Sequence, residues 1–167
     1  MTSFHPKIQA FINHLLASGR AKTLRGCSES DILEVECKYR LKLPPAYRDF
    51  LSAAGRGADQ FLVGTDWLYP QLLELGEAAR DLLYQHTKFK LSDSDFVFLM
   101  HQGYQFMYFR TGTGDPDPEV RRYLEPWDAP RHTGVSLTQL LEQTLADELK
   151  VLARSHRGGA IPSPSPS

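Results

Sequence analysis

Apolar residues along this chain keep two rhythms, and the change from one to the other predicts its layout. Ile8, Phe11, Ile12, Leu15 and Leu16 recur at the spacing of one helix face, with Pro6 at a tolerated first-turn position and Gly19 as the stop. Ser28 predicts the cap of a second helix carrying Ile32, Leu33, Val35 and Tyr39, and Glu29 and Asp31 suit the positive end of its dipole. Pro45 opens a third helix in which Tyr47, Phe50, Leu51 and Ala54 form an apolar stripe, with Gly55 expected as a left-handed cap. Phe61–Val63 and Trp67–Tyr69 read as short strands. From Pro70 a fourth helix runs through Leu72, Leu73, Leu75, Ala79, Leu82 and Leu83, weakened at Gly76 by about 1 kcal/mol of lost propensity.

The rhythm then shortens to two. Phe96, Phe98 and Met100 alternate with Val97, Leu99 and His101, and Tyr104, Phe106 and Tyr108 alternate with Gln105, Met107 and Phe109. The connection at Gln102–Gly103 is far too short for a parallel crossover, so the two runs predict an antiparallel hairpin. Neither run has a clean polar face, which predicts central strands covered by helices on one side and at least partly shielded on the other. An Asp/Pro turn follows, then a third strand over Glu119–Glu125. Ser136-Leu-Thr-Gln139 is a capping-box pattern, and Leu137, Leu140, Leu141, Leu145, Leu149 and Leu152 continue as the last helix. From Gly158 the Gly/Ser/Pro composition predicts a flexible tail, 158–167, after a single domain over 1–157. The fold class is α+β: one antiparallel sheet with flanking helices.

Composition narrows the function more than it names one. The 167 residues, 41% hydrophobic and 11% aromatic, suit one soluble globular domain. The net charge of -1 hides +4 over residues 1–57 and -5 over 58–167, so a basic partner suits the later part, and direct nucleic-acid binding is disfavoured. Cys27 and Cys37 are ten residues apart on a predicted helix, about 15 Å, beyond disulfide reach. The start lacks a signal-peptide pattern and no apolar run nears the roughly 18 residues of a membrane span, so a cytoplasmic location and no membrane partner are expected.

Chemistry-bearing motifs are sparse. The serine-hydrolase elbow, the His-Glu-x-x-His metal motif and the Cys-x-x-Cys pair are all missing. Asp115, Asp117 and Glu119 alternate like the first ligands of a calcium loop, but Val120 stands where the sharp turn needs Gly and Pro126 where a bidentate Glu belongs. No metal or cofactor is expected. One alternative keeps a small enzyme in view, with a pocket built from His101, Gln102, Tyr104 and Glu125.

Two motifs in order, Leu43-Pro-Pro-x-Tyr-Arg-x-Phe-Leu51 with Gly55, then His101-Gln-Gly-Tyr-x-Phe106, an Asp/Pro turn and Val120-x-x-Tyr123, resemble the SUKH superfamily. The resemblance covers roughly residues 28–153. Arg56-Gly57-Ala58 stands where relatives often have Asn-Gly-Gly. The family includes fungal cell-wall-synthesis regulators and bacterial immunity proteins. The resemblance implies no catalytic activity and, for bacterial members, neutralisation of a cognate toxin by direct binding; a regulatory scaffold without a toxin partner is the alternative. Such inhibition needs only cover or electrostatic complementarity to the toxin's cleft. Asp66, Asp115, Asp117, Glu119 and Glu125 are the acidic candidates for the partner-binding surface, displayed at the edge running from Asp115 to Glu125, with Trp67, Tyr104 and Tyr123 as possible aromatic anchors. Each has a plainer reading: Asp115-Pro-Asp-Pro118 is also good turn sequence, and the aromatics also suit a core.

Overall fold

Five antiparallel strands, β1 Thr65–Asp66, β2 Asp95–His101, β3 Gln105–Arg110, β4 Glu119–Leu124 and β5 Arg131–Ser136, form one meander in chain order. Five helices accompany them: α1 Pro6–Ala17, α2 Glu29–Tyr39, α3 Pro45–Ala54, α4 Leu72–His86 and α5 Leu137–Gly158. The computed structural model describes residues 3–158, so the predicted tail beyond Gly158 lies outside the described residues. Within them the α+β class and all five helices are as the sequence predicts.

The helix signals act as read. Ser28 Oγ accepts the Asp31 N–H while the Asp31 carboxylate accepts the Ser28 N–H, a reciprocal capping box. Ser136 and Gln139 make the same exchange at the start of α5. Gly76, predicted as a weak point, carries a packing role instead. Its N–H donates to the Tyr39 hydroxyl, and a Cβ there would meet the Tyr39 ring at 2.8 Å, so α4 can approach α2 only without a side chain. Gly55 does not make the left-handed cap expected of it: its φ is -64°. A Cβ at Gly55 would meet Cys27 Sγ at 2.5 Å and Leu51 O at 2.7 Å, so the glycine answers close approach.

The sheet departs from the sequence reading in three places. First, Phe61–Val63 is a turn, with φ +55° at Leu62, and Trp67–Tyr69 is not a strand; only Thr65–Asp66 joins the sheet. The Leu62 N–H donates to Glu148 on α5 at 2.9 Å instead of to a neighbouring strand. Second, a bulge between Val97 and Leu99 resets the alternation of β2. Phe96 therefore pairs with Phe109 on one face and Met100 with Phe106 on the other, so Phe96, Phe98 and Met100 do not share a face. Third, β5 has no apolar alternation and went unpredicted; as an edge strand it is packed on one side only. Its presence makes β4 an interior strand, so Asp115 to Glu125 is not the sheet's edge.

Helices pack on both faces. Tyr47 of α3 meets the rings of Phe96, Phe98 and Phe109 at 5.2–6.0 Å, and α1, α3 and α5 pack together over this face. On the other face Phe106 joins Tyr108 and Tyr123, and α4 lies across them, from Leu72 O bonded to the Tyr39 hydroxyl to His86 beside Glu125. The Leu43-to-Leu51 motif is a folding device. Glu36, buried on α2, accepts the Leu43 N–H and the Arg48 guanidinium at 3.0 and 2.7 Å, locking α3 to α2.

Candidate partner-binding surface

One corner of the sheet is not sealed. α5 leaves β5 at Ser136 and crosses towards Leu62, where Glu148 is anchored. Its diagonal leaves open the corner of the α5 face near the β2–β3 and β4–β5 turns. Cross-strand partners share a face, so His101, Gln105 and Leu124 form one row there, and Leu99, Met107 and Arg122 the next. His101, Gln105, Met107, Arg122 and Leu124 are all only half-buried. On the opposite face at the same levels Met100, Phe106 and Tyr123 are buried completely or nearly so.

The corner contains a groove of about 370 Å³ whose lining includes Met107, Arg122, Trp127, Arg131, Leu140 and Gln143. Trp127, in the β4–β5 connection, is placed by its backbone N–H donating to Leu124 O at 2.8 Å. The Arg131 guanidinium lies 4.1 Å from the Trp127 ring centroid and that of Arg122 5.3 Å, the distances of cation–π contacts. Arg122 and Arg131 are also direct cross-strand partners. Beside them His132 is hydrogen-bonded to Glu119 at 2.5 Å.

The residues read from sequence as partner-binding do not converge on one patch. Asp66 is exposed on β1, at the opposite edge of the sheet. Trp67 is buried, stacked on Phe50 at 5.4 Å, and Tyr123 is fully buried against Phe106. Asp115 is exposed and turns its carboxylate back to the Asp117 N–H. Asp117 is a structural clamp: its oxygens accept the Thr138 N–H at 3.0 Å and the Thr138 hydroxyl at 2.5 Å, tying the loop to the first turn of α5. Glu119 and Glu125 remain at the surface, paired with His132 and His86. The acidic candidates are thus scattered over the molecule, and none lines the groove, whose own charges are positive.

Sequence reading missed this groove because its parts look unremarkable one at a time. The available signal was Trp127 in a turn, Glu125-Pro-Trp-Asp-Ala-Pro-Arg131, where a large aromatic has no strand or helix face to explain it. The enzyme pocket imagined around His101 is not assembled. His101 meets Thr65 at 3.0 Å and Tyr104 edge-on, on the α5 face, whereas Glu125 turns to His86 on the α4 side. Among the described residues no group of three metal-ligating side chains converges. No helix there is long and apolar enough to cross a membrane.

The architecture is that of a small α+β module: a five-stranded meander wrapped by helices, with one open corner and no assembled catalytic cluster at the predicted position. The sequence model of the SMI1 / KNR4 family (SUKH-1) matches residues 26–143, and the chain belongs to that family. The match runs from the loop before α2 to the second turn of α5 and so includes both predicted motifs and every strand. The family is generally non-enzymatic, and membership is consistent with a protein-binding, immunity-type module. Among curated proteins none matches the chain.

Proposed function

We propose that this protein is a non-catalytic binding module that protects a cell by binding and covering a cognate toxin domain. The observation that carries the reading is the open sheet corner. Where Met100, Phe106 and Tyr123 are buried on the opposite face, this corner leaves Met107, Leu124, Trp127 and two arginines within reach of solvent. Aromatic and arginine side chains at a partly apolar depression are the composition of binding hot spots. Glu119, Glu125, Asp115 and Asp66 are exposed carboxylates elsewhere on the surface, where they would govern encounter rate and partner choice more than affinity.

The test is co-expression with each toxin domain encoded beside the gene. The expected result is restored growth with one of them and a stable complex of the purified pair by size-exclusion chromatography. A chain that rescues none and binds none of those domains overturns the immunity reading. Capture of a host regulatory enzyme or structural protein in their place would favour the regulatory-scaffold alternative.

A further inference from the structure

We propose that the groove beside Trp127 receives a carboxylate side chain from an acidic, partly apolar segment of a partner polypeptide. This deepens the protein-binding reading by naming the chemistry of what is bound.

Three observations carry it. The first is an uncompensated charge. Arg20, Arg48, Arg56 and Arg110 each hold a carboxylate; Arg122 and Arg131, like Arg25, Arg40, Arg80 and Arg121, form no ion pair among the described residues. Yet these two stand directly opposite one another on adjacent strands, where like charges repel. An anion between them removes that repulsion.

The second is an unmet donor. Arg122 Nε is buried and has no hydrogen-bond partner. A buried N–H left without an acceptor is costly, and one on a guanidinium more so. A carboxylate oxygen in the groove supplies the acceptor once the Arg122 side chain turns this closed-off N–H towards it.

The third is an internal precedent. Elsewhere in the chain Arg56 lies over the Tyr69 ring at 4.7 Å and donates through Nε and Nη2 to the two oxygens of Asp31, at 2.8 and 3.0 Å. A guanidinium stacked on a ring keeps its in-plane donors free, and a carboxylate takes two of them. Arg131 over Trp127 is the same arrangement with the carboxylate missing.

The surroundings select a polypeptide over a nucleic acid. Met107, Val135 and Leu140 line the groove and suit an apolar residue next to the acid. Glu119, bonded to the lining residue His132, and Asp128, next to Trp127 in the turn, lie beside it and would repel a run of phosphates more than a single carboxylate.

The folded full chain should be panned against short random peptides displayed on phage. Enriched peptides are expected to pair Asp or Glu with Leu, Phe or Trp. A synthetic copy of one should bind about tenfold more weakly when its acid is replaced by the amide, and about tenfold more weakly to Arg131→Gln. Arg131 is exposed, so that variant keeps the fold even if Arg122→Gln does not; Arg131→Lys, which retains charge without the planar fork, should fall between. The proposal is overturned if no peptide is enriched, if the enriched peptides lack acids, or if Arg131→Gln binds them as the native chain does. Binding of single-stranded oligothymidylate that depends on Arg131, without peptide binding, would also overturn it in favour of phosphate. No toxin enters this experiment. Rescue without acidic-peptide binding defeats the groove assignment alone, and acidic-peptide binding without rescue defeats the immunity reading alone.

Discussion

Met107 and Phe109 lie two residues apart on β3, on the same face of the sheet, and have opposite fates. Phe109 is fully buried among the rings of Tyr47, Phe96 and Phe98. Met107 is half-buried at the groove beside Trp127. The difference comes from the path of α5 and the reach of Tyr47, since strand and face are the same. One strand can therefore serve as scaffold at one end and as binding surface at the other.

The sharpest way to break that comparison is to truncate both residues. Phe109→Ala should cost about 3–5 kcal/mol, because it empties a space that packed rings cannot easily refill. Met107→Ala, at a site already open to solvent, should cost about 1 kcal/mol or less. Urea unfolding followed by circular dichroism measures both. Similar losses would mean that the corner is as tightly packed as the hub, and the distinction between the two ends would be wrong.

A second substitution separates an acidic residue that builds the fold from those free to meet a partner. Asp117→Ala removes the acceptor of two Thr138 hydrogen bonds at the start of α5 and should destabilise by about 1–2 kcal/mol. Asp115→Ala, whose carboxylate makes only a local turn contact, should cost a few tenths of a kcal/mol. The pair were indistinguishable as sequence, both Asp within one Asp/Pro turn. Equal effects on the unfolding midpoint would remove the assignment of Asp117 as a clamp.

That pair also shows where sequence reading stops. Helices, caps, hairpin and the Leu43–Leu51 motif were legible because each depends on neighbours within a few residues, as at Ser28 with Asp31 or Ser136 with Gln139. Face assignment failed at β2 because a single bulge, invisible in composition, reverses every residue beyond it. β5 was missed because its Arg131-His-Thr-Gly-Val-Ser136 run has no apolar period to detect. The groove was out of reach because its members come from β3, β4, β5 and α5, and only tertiary packing brings them together. The same limit explains why Trp67 and Tyr123, candidates for anchors that suited a core as well, are placed in the core only by the structure.

Arg131→Gln sharpens the comparison from the binding side. Losing the stack on Trp127 removes an attraction worth about 0.5–1 kcal/mol at an exposed site, while relief of the repulsion with Arg122 offsets part of it. The net change in thermal stability should lie within about 0.5 kcal/mol. A large loss would mark Arg131 as structural and leave the groove without its proposed purpose.

The smallest expected effect contrasts the filled arginine–aromatic site with the empty one. At Asp31 the Arg56 guanidinium, helped by the Ser28 N–H, lowers the carboxyl from 3.8 to about 2. A carboxyl whose value is lower in the folded chain than in the unfolded one stabilises the fold above the unfolded value. That contribution should be complete above about pH 4 and fade as pH falls towards about 2. The pair lies at the surface, with Arg56 exposed and Asp31 half-buried, so the effect is a small shift in melting temperature. Measured from neutral to acid, the gap between the native chain and Asp31→Asn should be present at neutral pH and close across that window. The gap between the native chain and Arg131→Gln should show no such closure, because the Trp127 site has no carboxylate of its own to titrate. If both gaps close together, the Trp127 site already has an internal acid partner, and the groove needs none from outside.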